Sequence, residues 1–405
     1  MRSLLKVSLP CGALASALAW LLYTFGAFAL WTRAVFGAAD AGSAWAQVLG
    51  AVVLGFGLAW TTLEIDALSL KLTTAAVALA ETAGLSWVLF LFGVAWPPFT
   101  ALVAGVLACG LGLAYGLSGP GRRRRALVQG LGGRVSRETF ERLLAADTPL
   151  PSVGAQREAS VLVCRLLNRR ELAEALDAAD FVALSNAFAH AATQTLLEAG
   201  GVLTEGDEKH VEAAFGVPLA DPAHAEQAAL AACALGRRME AFRRECAERW
   251  SVEPDCRIAV NAGMLIAGTF GAGALAGFGV AGEALDFCRQ LCRKNGTYGT
   301  RILVGPEVFR LAHAALEVRP VDLQWDRAGL VRLELYELLG PRGALAPEAL
   351  QRRDAFWIAV ILFRTKQDQE AAALFWTLLH DEAGAVDPLI QYYLYLLQTK
   401  PLPTL

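Results

Sequence analysis

The stretch that decides the fold runs from Gly200 to Leu219, GGVLTEGDEKHVEAAFGVPL, followed at Asp221 by DPAHAEQAALAACALGRRMEAF. Two short apolar-rich runs flank the polar turn around Gly206–Lys209, which predicts two strands folded back on each other. From Asp221 onward the apolar residues recur at three-to-four spacing as far as Phe242, which predicts a long helix with Asp221 as its N-cap. Upstream, the apolar run Ala159–Leu167 reads as a strand. Before it come a proline-containing loop and a short amphipathic helix, Ser136–Ala145. Downstream, RIAVNAGMLIAGTFG (257–271) reads as a strand pair and AGEALDFCRQLCRKNG (281–296) as a helix ending at Gly296. TRILVG (300–305) is a further strand. Strands and helices that alternate in this way predict an α/β or α+β sandwich.

The first part of the chain is of another kind. Of 405 residues, 55% are hydrophobic and 19% charged, and the charges are unevenly spread. Residues 1–118 hold Arg2, Lys6, Arg33, Asp40, Glu64, Asp66, Lys71 and Glu81, and the rest of the chain holds the other 67. A membrane part therefore precedes a soluble part, and a wholly cytosolic enzyme is excluded. About 20 apolar residues of helix cross a bilayer core, and four stretches qualify: Val7–Trp31, Ala44–Leu63, Thr73–Val94 and Pro98–Leu117. The breaks are GAADAG (37–42), EIDALSLK (64–71) and Pro97–Pro98. Arg122 to Arg125 follow the fourth span and mark that end as cytoplasmic. Four spans then place the N-terminus, with Arg2 and Lys6, on the same side. A cleaved signal peptide is the rival for the first span, but its apolar run is long and three more spans follow. Glu81 lies within the third span. It either faces a bundle interior with a function or reaches the interface from near a helix end. Trp20, Trp31, Trp45, Trp60, Trp87 and Trp96 mostly fall near span ends. A net charge of −3 gives no sign of a nucleic-acid partner.

Eight cysteines (Cys11, Cys109, Cys164, Cys233, Cys246, Cys256, Cys288 and Cys292) form no CxxC pair. Cys288 and Cys292 stand at i, i+4 on the helix expected there, but no further Cys or His completes a metal set. Reduced structural thiols are expected. The Gly-rich run 268–279 lacks GK[ST] and is not a P-loop. His190, His210, His224, His313 and His380 lie far apart and form no HExxH. Solvated or helix-surface histidines are expected, although spacing alone leaves a triad open.

Four fragments, in order, resemble the class III adenylate/guanylate cyclase homology domain: GG-x13-FG (Gly200–Gly216) with VPL, DPAHAEQAALAA (221–232), VNAGMLIAGTFG (260–271) and GVAGEALDFCRQL (279–291). The resemblance covers about Glu158–Leu339, plus a connector like that of bacterial membrane cyclases. It implies a βαββαβ core that dimerises, with nucleotide sites at the dimer interface. It also implies two metal ions held by two aspartates, which clamp the triphosphate and activate the attacking hydroxyl. In this chain the first aspartate position falls on Arg165 and the second on Lys209. The base-reading lysine position holds Glu205, and its acidic or polar partner falls near Gly277. The transition-state asparagine and arginine positions hold Asp286 and Gln290. A two-residue slip makes Asp207 the second metal ligand, and a one-residue slip substitutes Arg289 for Gln290. The first metal ligand is missing in either register. Arg165 and Lys209 then have three readings: ion pairs with Glu205, Glu208 or Glu283; drift into solvent; or a metal-free phosphate site.

From about Arg353 the segments DAFWIAVILFR, QEAAALFWTLLH and VDPLIQYYLYLLQTK read as helices and resemble the tetratricopeptide-like hairpin that ends many bacterial membrane cyclases. One such repeat cannot bury its own face, so it is expected to pack on the cyclase-like domain or on a partner. The aromatic cluster of Phe356, Trp357, Phe363, Phe375, Trp376, Tyr392, Tyr393 and Tyr395 is expected to be core. The organisation expected is therefore four transmembrane helices (1–120), a cytoplasmic connector (121–157), an α+β cyclase-like sandwich (158–340) and a helical tail (341–405). The chain is expected in a bacterial inner membrane with both termini cytoplasmic and the lipid bilayer as one partner. A homo- or heterodimer is expected through the cyclase-like domain, and a membrane protein is a further candidate partner. The function expected is non-catalytic: a signalling, regulatory or assembly subunit without cofactor. Two alternatives stand beside it. One is an active cyclase with a divergent Mg or Mn site, and the other is a structural subunit acting through its transmembrane helices.

Overall fold

The computed structural model describes residues 2–37, 43–65, 67–146, 154–272, 276–325, 330–380 and 384–399, the side chains of residues 2–6 excepted. It divides into two units, Met1–Arg125 and Ala126–Leu405. Residues 38–42 of the expected break, which include Asp40, then Asp66, the proline-containing loop at 147–153 and part of the Gly-rich run (273–275) lie outside the described residues.

The first unit contains α1 (Arg2–Thr24), α2 (Ala29–Phe36), α3 (Ala44–Glu64), α4 (Leu68–Leu91) and α5 (Phe99–Leu117). Among the described residues four helices are long and apolar enough to cross a membrane: Val7–Thr24 of α1, then α3, α4 and α5. The first span stops at Thr24 rather than Trp31, because the chain turns at Gly26, whose φ of +72° suits glycine, before restarting as α2. Small side chains let α1, α3 and α5 approach closely: a Cβ on Gly55 would strike Ser16 and one on Gly112 would strike Thr62. Ser16 Oγ also donates to Ala51 O across 3.0 Å.

The division falls within α6 (Gly119–Leu131), and the second unit continues with α7 (Arg137–Ala145), capped by Ser136, whose Oγ accepts from Thr139 N. There follow β1 (Ala155–Leu166), α8 (Arg169–Ala175), α9 (Ala178–Glu198), β2 (Val202–Gly206), β3 (His210–Phe215), α10 (His224–Trp250), β4 (Cys256–Phe270), β5 (Gly277–Ala281) and α11 (Glu283–Tyr298). The remaining elements are β6 (Ile302–Val304), α12 (Pro306–Ala312), β7 (Leu316–Trp325), β8 (Arg332–Pro341), α13 (Pro347–Arg364), α14 (Asp368–Leu378) and α15 (Pro388–Thr399). The sheet runs β2-β3-β1-β4-β6-β8-β7, with β5 also paired to β4. Only the β4–β6 pair among these is parallel. Within it, β1, α9, β2, β3, α10 and β4 make the expected βαββαβ core.

Alternation along β1 builds two cores, one on each face. Leu162, Cys164 and Leu166 pack with Phe188 of α9 and Phe242 of α10. Val161 and Val163 point the other way, into a cluster with Leu291 and Cys292 of α11. The tail completes this second core: Phe356, Phe375 and Tyr393 share it with Val321 and Leu335. Trp357 Nε1 donates to Val318 O at 3.2 Å. Arg319 is held between Glu337 (2.7 Å) and Asp387 (2.5 Å).

Three local expectations change. The segment 257–271 belongs to one strand, β4, rather than a strand pair, and its outer half is paired by β5 after the Gly-rich run. Helix α10 begins at His224, so Asp221 lies ahead of it, accepting from Ala223 N and from Gln227 Nε2. Helix α11 passes Gly296 and ends at Tyr298, with Gly299 in the left-handed conformation as its cap.

Candidate functional site

The hairpin β2–β3 and the end of β1 meet where the metal-binding positions were expected. Leu166 N donates to Lys209 O at 2.8 Å, and Arg165 lies opposite His210 in the β1–β3 ladder. The backbone thus brings Arg165 and Lys209 together. Asp207 closes the turn: its Oδ1 accepts from the backbone N–H of Lys209 and of His210, both at 2.8 Å, and lies 2.7 Å from His210 Nδ1. Its Oδ2 faces Lys209 Nζ at 3.4 Å. Burial alone would raise the Asp207 pKa, but the two N–H donors and the His210 ring outweigh it, and the carboxyl sits below its ordinary value.

Of the three readings of Arg165 and Lys209, ion pairs with Glu205, Glu208 or Glu283 are absent among the described residues, and Lys209 faces Asp207 instead. Glu208 pairs with Arg169 at 3.3 Å, and among the described residues Arg165 has no ion-pair partner. Glu205 is drawn elsewhere by strand register. It stands opposite Glu212 across β2 and β3, and Arg289 of α11 reaches between the two. Arg289 Nε and Nη2 donate to the two oxygens of Glu212 at 2.7 and 2.8 Å, and Nη2 also to Glu205 at 2.6 Å. Asp286 lies 3.9 Å from the same guanidinium. The Glu212 hydrogen bond is the main reason that the Arg289 pKa is raised. Gln290 stays apart from this network and lines an open cleft of about 830 Å³ with Asn261, Asp286, Phe287, Arg289 and Trp325.

A cation stands beside Gly277, near which the resemblance places a base-reading position. The Arg134 guanidinium lies where a Cβ on Gly277 would go, with Nη1 donating to Phe278 O at 2.9 Å, and Leu203 N donates to Arg134 O. The connector therefore occupies the space that an acidic or polar side chain at 277 would use.

These residues do not fit the two Mg²⁺ or Mn²⁺ ions that the resemblance implies. A hard divalent cation needs free carboxylate oxygens, whereas the first position is a guanidinium, the second an ammonium, and Asp207 spends its Oδ1 inside the turn. Glu205, His210 and Glu212 bring three ligand-type atoms within 4.8 Å of one another, but Arg289 already pairs with both carboxylates.

Sequence reasoning missed Glu212, Arg134 and the state of two histidines. The signal for Glu212 was a carboxylate inside the apolar strand HVEAAF, where a buried charge requires a partner. His210 is nearly buried in the carboxylate cluster, and His224 is buried with Nδ1 2.8 Å from Ser160 Oγ. Ser160 is itself fully buried, so this pair satisfies two polar groups rather than meeting a substrate. All eight cysteines are free thiols. Cys288 Sγ donates to Val161 O and Ala259 O, and Cys292 Sγ to Val163 O and Arg257 O, which fastens α11 to β1 and β4. Burial pushes the Cys292 thiol up to about 12.

No family model matches the chain. Among curated proteins it is 23% identical to Adenylate cyclase 1 of Rhizobium meliloti over 187 residues, 46% of this chain and 28% of that protein. It is 27% identical to an uncharacterized protein of Mycobacterium tuberculosis over 271 residues, 66% of this chain and 43% of that one. The chain thus spans less than half the length of these relatives. Among solved structures, the guanylyl cyclase Cya2 is matched over 47% of this chain and 96% of its own, at 16% identity and a TM-score of 0.44. The adenylyl cyclase CyaB from P. aeruginosa is matched over 48% and 99%, at 18% identity and a TM-score of 0.43. The second unit holds a mixed-sheet domain with the βαββαβ order described above, and part of the chain is similar in sequence to Adenylate cyclase 1 of Rhizobium meliloti.

Proposed function

We propose that this chain is a membrane-anchored cyclase-like protein without turnover. It acts as a signalling, regulatory or assembly subunit through a dimerising cyclase-like domain, in a bacterial inner membrane with both termini cytoplasmic. The observation that carries the reading is the hairpin edge. Asp207 is engaged within its own turn, beside Arg165 and Lys209, so the pair of carboxylates that would hold metal on a triphosphate has no counterpart. Arg134 at Gly277 and Arg289 on Glu205 and Glu212 support it, since both cations stand at or beside positions where the resemblance implies base recognition.

The similarity to Adenylate cyclase 1 favours the catalytic alternative, in which Asp207 turns outward to take one metal. The experiment incubates detergent-purified full chain with ATP or GTP and Mg²⁺ or Mn²⁺ and detects cyclic nucleotide by mass. No product above background is expected from folded, dimeric protein. Turnover that Asp207→Ala abolishes would replace this reading with the catalytic one.

A further inference from the structure

A second open groove, of about 930 Å³, runs beside α10. One wall is apolar. Met239, Ile258, Ile302 and Leu338 belong to the core that α10 covers, on the face of the sheet away from α11, and the half-buried Leu339 and Leu345 continue the wall. The rest of the lining is charged, with five arginines against four carboxylates. Each carboxylate is already engaged. Glu240 lies between Arg243 at 2.8 Å and Arg301 at 3.2 Å, Glu253 meets Arg243 at 2.7 Å, and Asp255 pairs with Arg257. Glu337 is held at 2.7 Å by Arg319, which does not line the groove.

Two arginines are left over. Arg237 and Arg244 line the groove from α10 and are exposed, and among the described residues neither makes an ion pair. Arg244 Nε donates to a backbone carbonyl, Glu240 O, at 3.5 Å. The other arginines of the same helix have partners: Arg238 pairs with Glu245 at 2.9 Å, Arg243 with Glu240, and Arg249 stacks on Trp250 at 4.4 Å. Spare guanidinium groups beside an apolar wall are complementary to a ligand that carries carboxylates and apolar side chains together. The spacing narrows the choice. Arg237 and Arg244 stand seven residues apart, roughly 10 Å along the helix at 1.5 Å per residue, too far to close on one phosphate. An extended peptide advances about 3.3 Å per residue, so carboxylates three positions apart span both.

We propose that this groove binds an acidic segment of a partner protein, with Arg237 and Arg244 on its carboxylates and the apolar wall under its intervening side chains. The site is separate from the hairpin edge and from α11, so it holds whether or not the chain turns over a nucleotide.

Fluorescence anisotropy tests it, titrating detergent-purified full chain into a labelled peptide of three Glu-Leu-Ser repeats. Saturable binding is expected, weakened several-fold on going from about 0.05 to about 0.5 M salt. The double variant Arg237→Glu, Arg244→Glu is expected to weaken it at least tenfold. Arg170→Glu, at an exposed arginine of α8 outside the groove, is the control and leaves it unchanged. Replacing each Leu of the peptide by Ser is expected to cost about tenfold, since the apolar wall is then unused. No binding by folded chain, or equal binding by the double variant, would overturn the site. Equal binding of the Leu-free peptide would reduce it to a charged surface and overturn the groove. Displacement by orthophosphate or ATP as readily as by unlabelled peptide would make it a small-anion site and overturn the peptide assignment.

Discussion

Glu205 and Glu212 face each other across a β-hairpin, and Arg289 is the residue that makes this tolerable. The Glu212 side chain is 2% exposed and that of Arg289 33%. Arg289→Ala would leave a buried carboxylate unpaired beside a second one. The expected cost is about 2–3 kcal/mol, below the ~3–5 kcal/mol of a fully buried pair because water reaches part of the guanidinium. Urea unfolding of the purified chain measures it, and adding Glu212→Gln should recover part of the loss. His224 gives a second expectation. Burial holds its pKa below the ordinary 6.5, against the pull of Glu158 and Asp221. The unfolded chain therefore binds more protons than the folded one between that lowered value and 6.5, and stability must fall as pH drops through this window. Thermal melts from pH 7.5 to 5 should show this slope, and His224→Gln should flatten it. Asp207, held below 3.8, contributes its own loss only at lower pH. A slope unchanged in the variant would assign the effect elsewhere.

Helix α11 shows what an element owes to the sheet beneath it. Its donors reach down to β1 and β4: Cys288 and Cys292 through their thiols, and Asn295 through Nδ2 to Ile258 O at 2.8 Å while its Oδ1 accepts from Thr300 Oγ1. Asn295 is fully buried, so Asn295→Ala strands a carbonyl and a hydroxyl, and a loss of about 2–4 kcal/mol is expected from urea unfolding. The same helix marks the limit of what sequence carries. The hairpin was legible because a polar turn divides two apolar runs. The course of β1 was legible because a continuous apolar run has few other uses. The continuity of β4 was not, since its outer half is fixed by β5, a strand that comes later in the chain. Nor was the Arg289 bridge, since it joins residues 77 and 84 positions apart. The thiols at i, i+4 were recognised as structural, but their carbonyl acceptors are a product of tertiary packing.

At the scale of the molecule, the tail is part of the second core rather than an appendage. Phe375 is fully buried and stacks on Tyr393 at 5.0 Å between ring centroids, with Phe356 edge-on to both. Phe375→Ala is expected to cost about 3–5 kcal/mol, read as a lowered urea midpoint of the whole second unit rather than as a separate early transition. A distinct early step would show that the tail melts alone. The sequence suggested a helical hairpin in need of a surface, and its apolar spacing was a sound guide to the helices. It could not name the surface, because nothing local links Phe356 to Val321 or Trp357 to the carbonyl of Val318. This arrangement has a bearing on biosynthesis. The core that β1 opens is not closed until Tyr393 and Leu394 are in place, more than two hundred residues later in the chain. A ribosome will have delivered every apolar helix of the first unit long before the second can finish folding. Until then Val321 of β7 and Leu335 of β8 lack the cover of Phe356, Phe375 and Tyr393, and a premature stop near residue 350 would leave them so permanently.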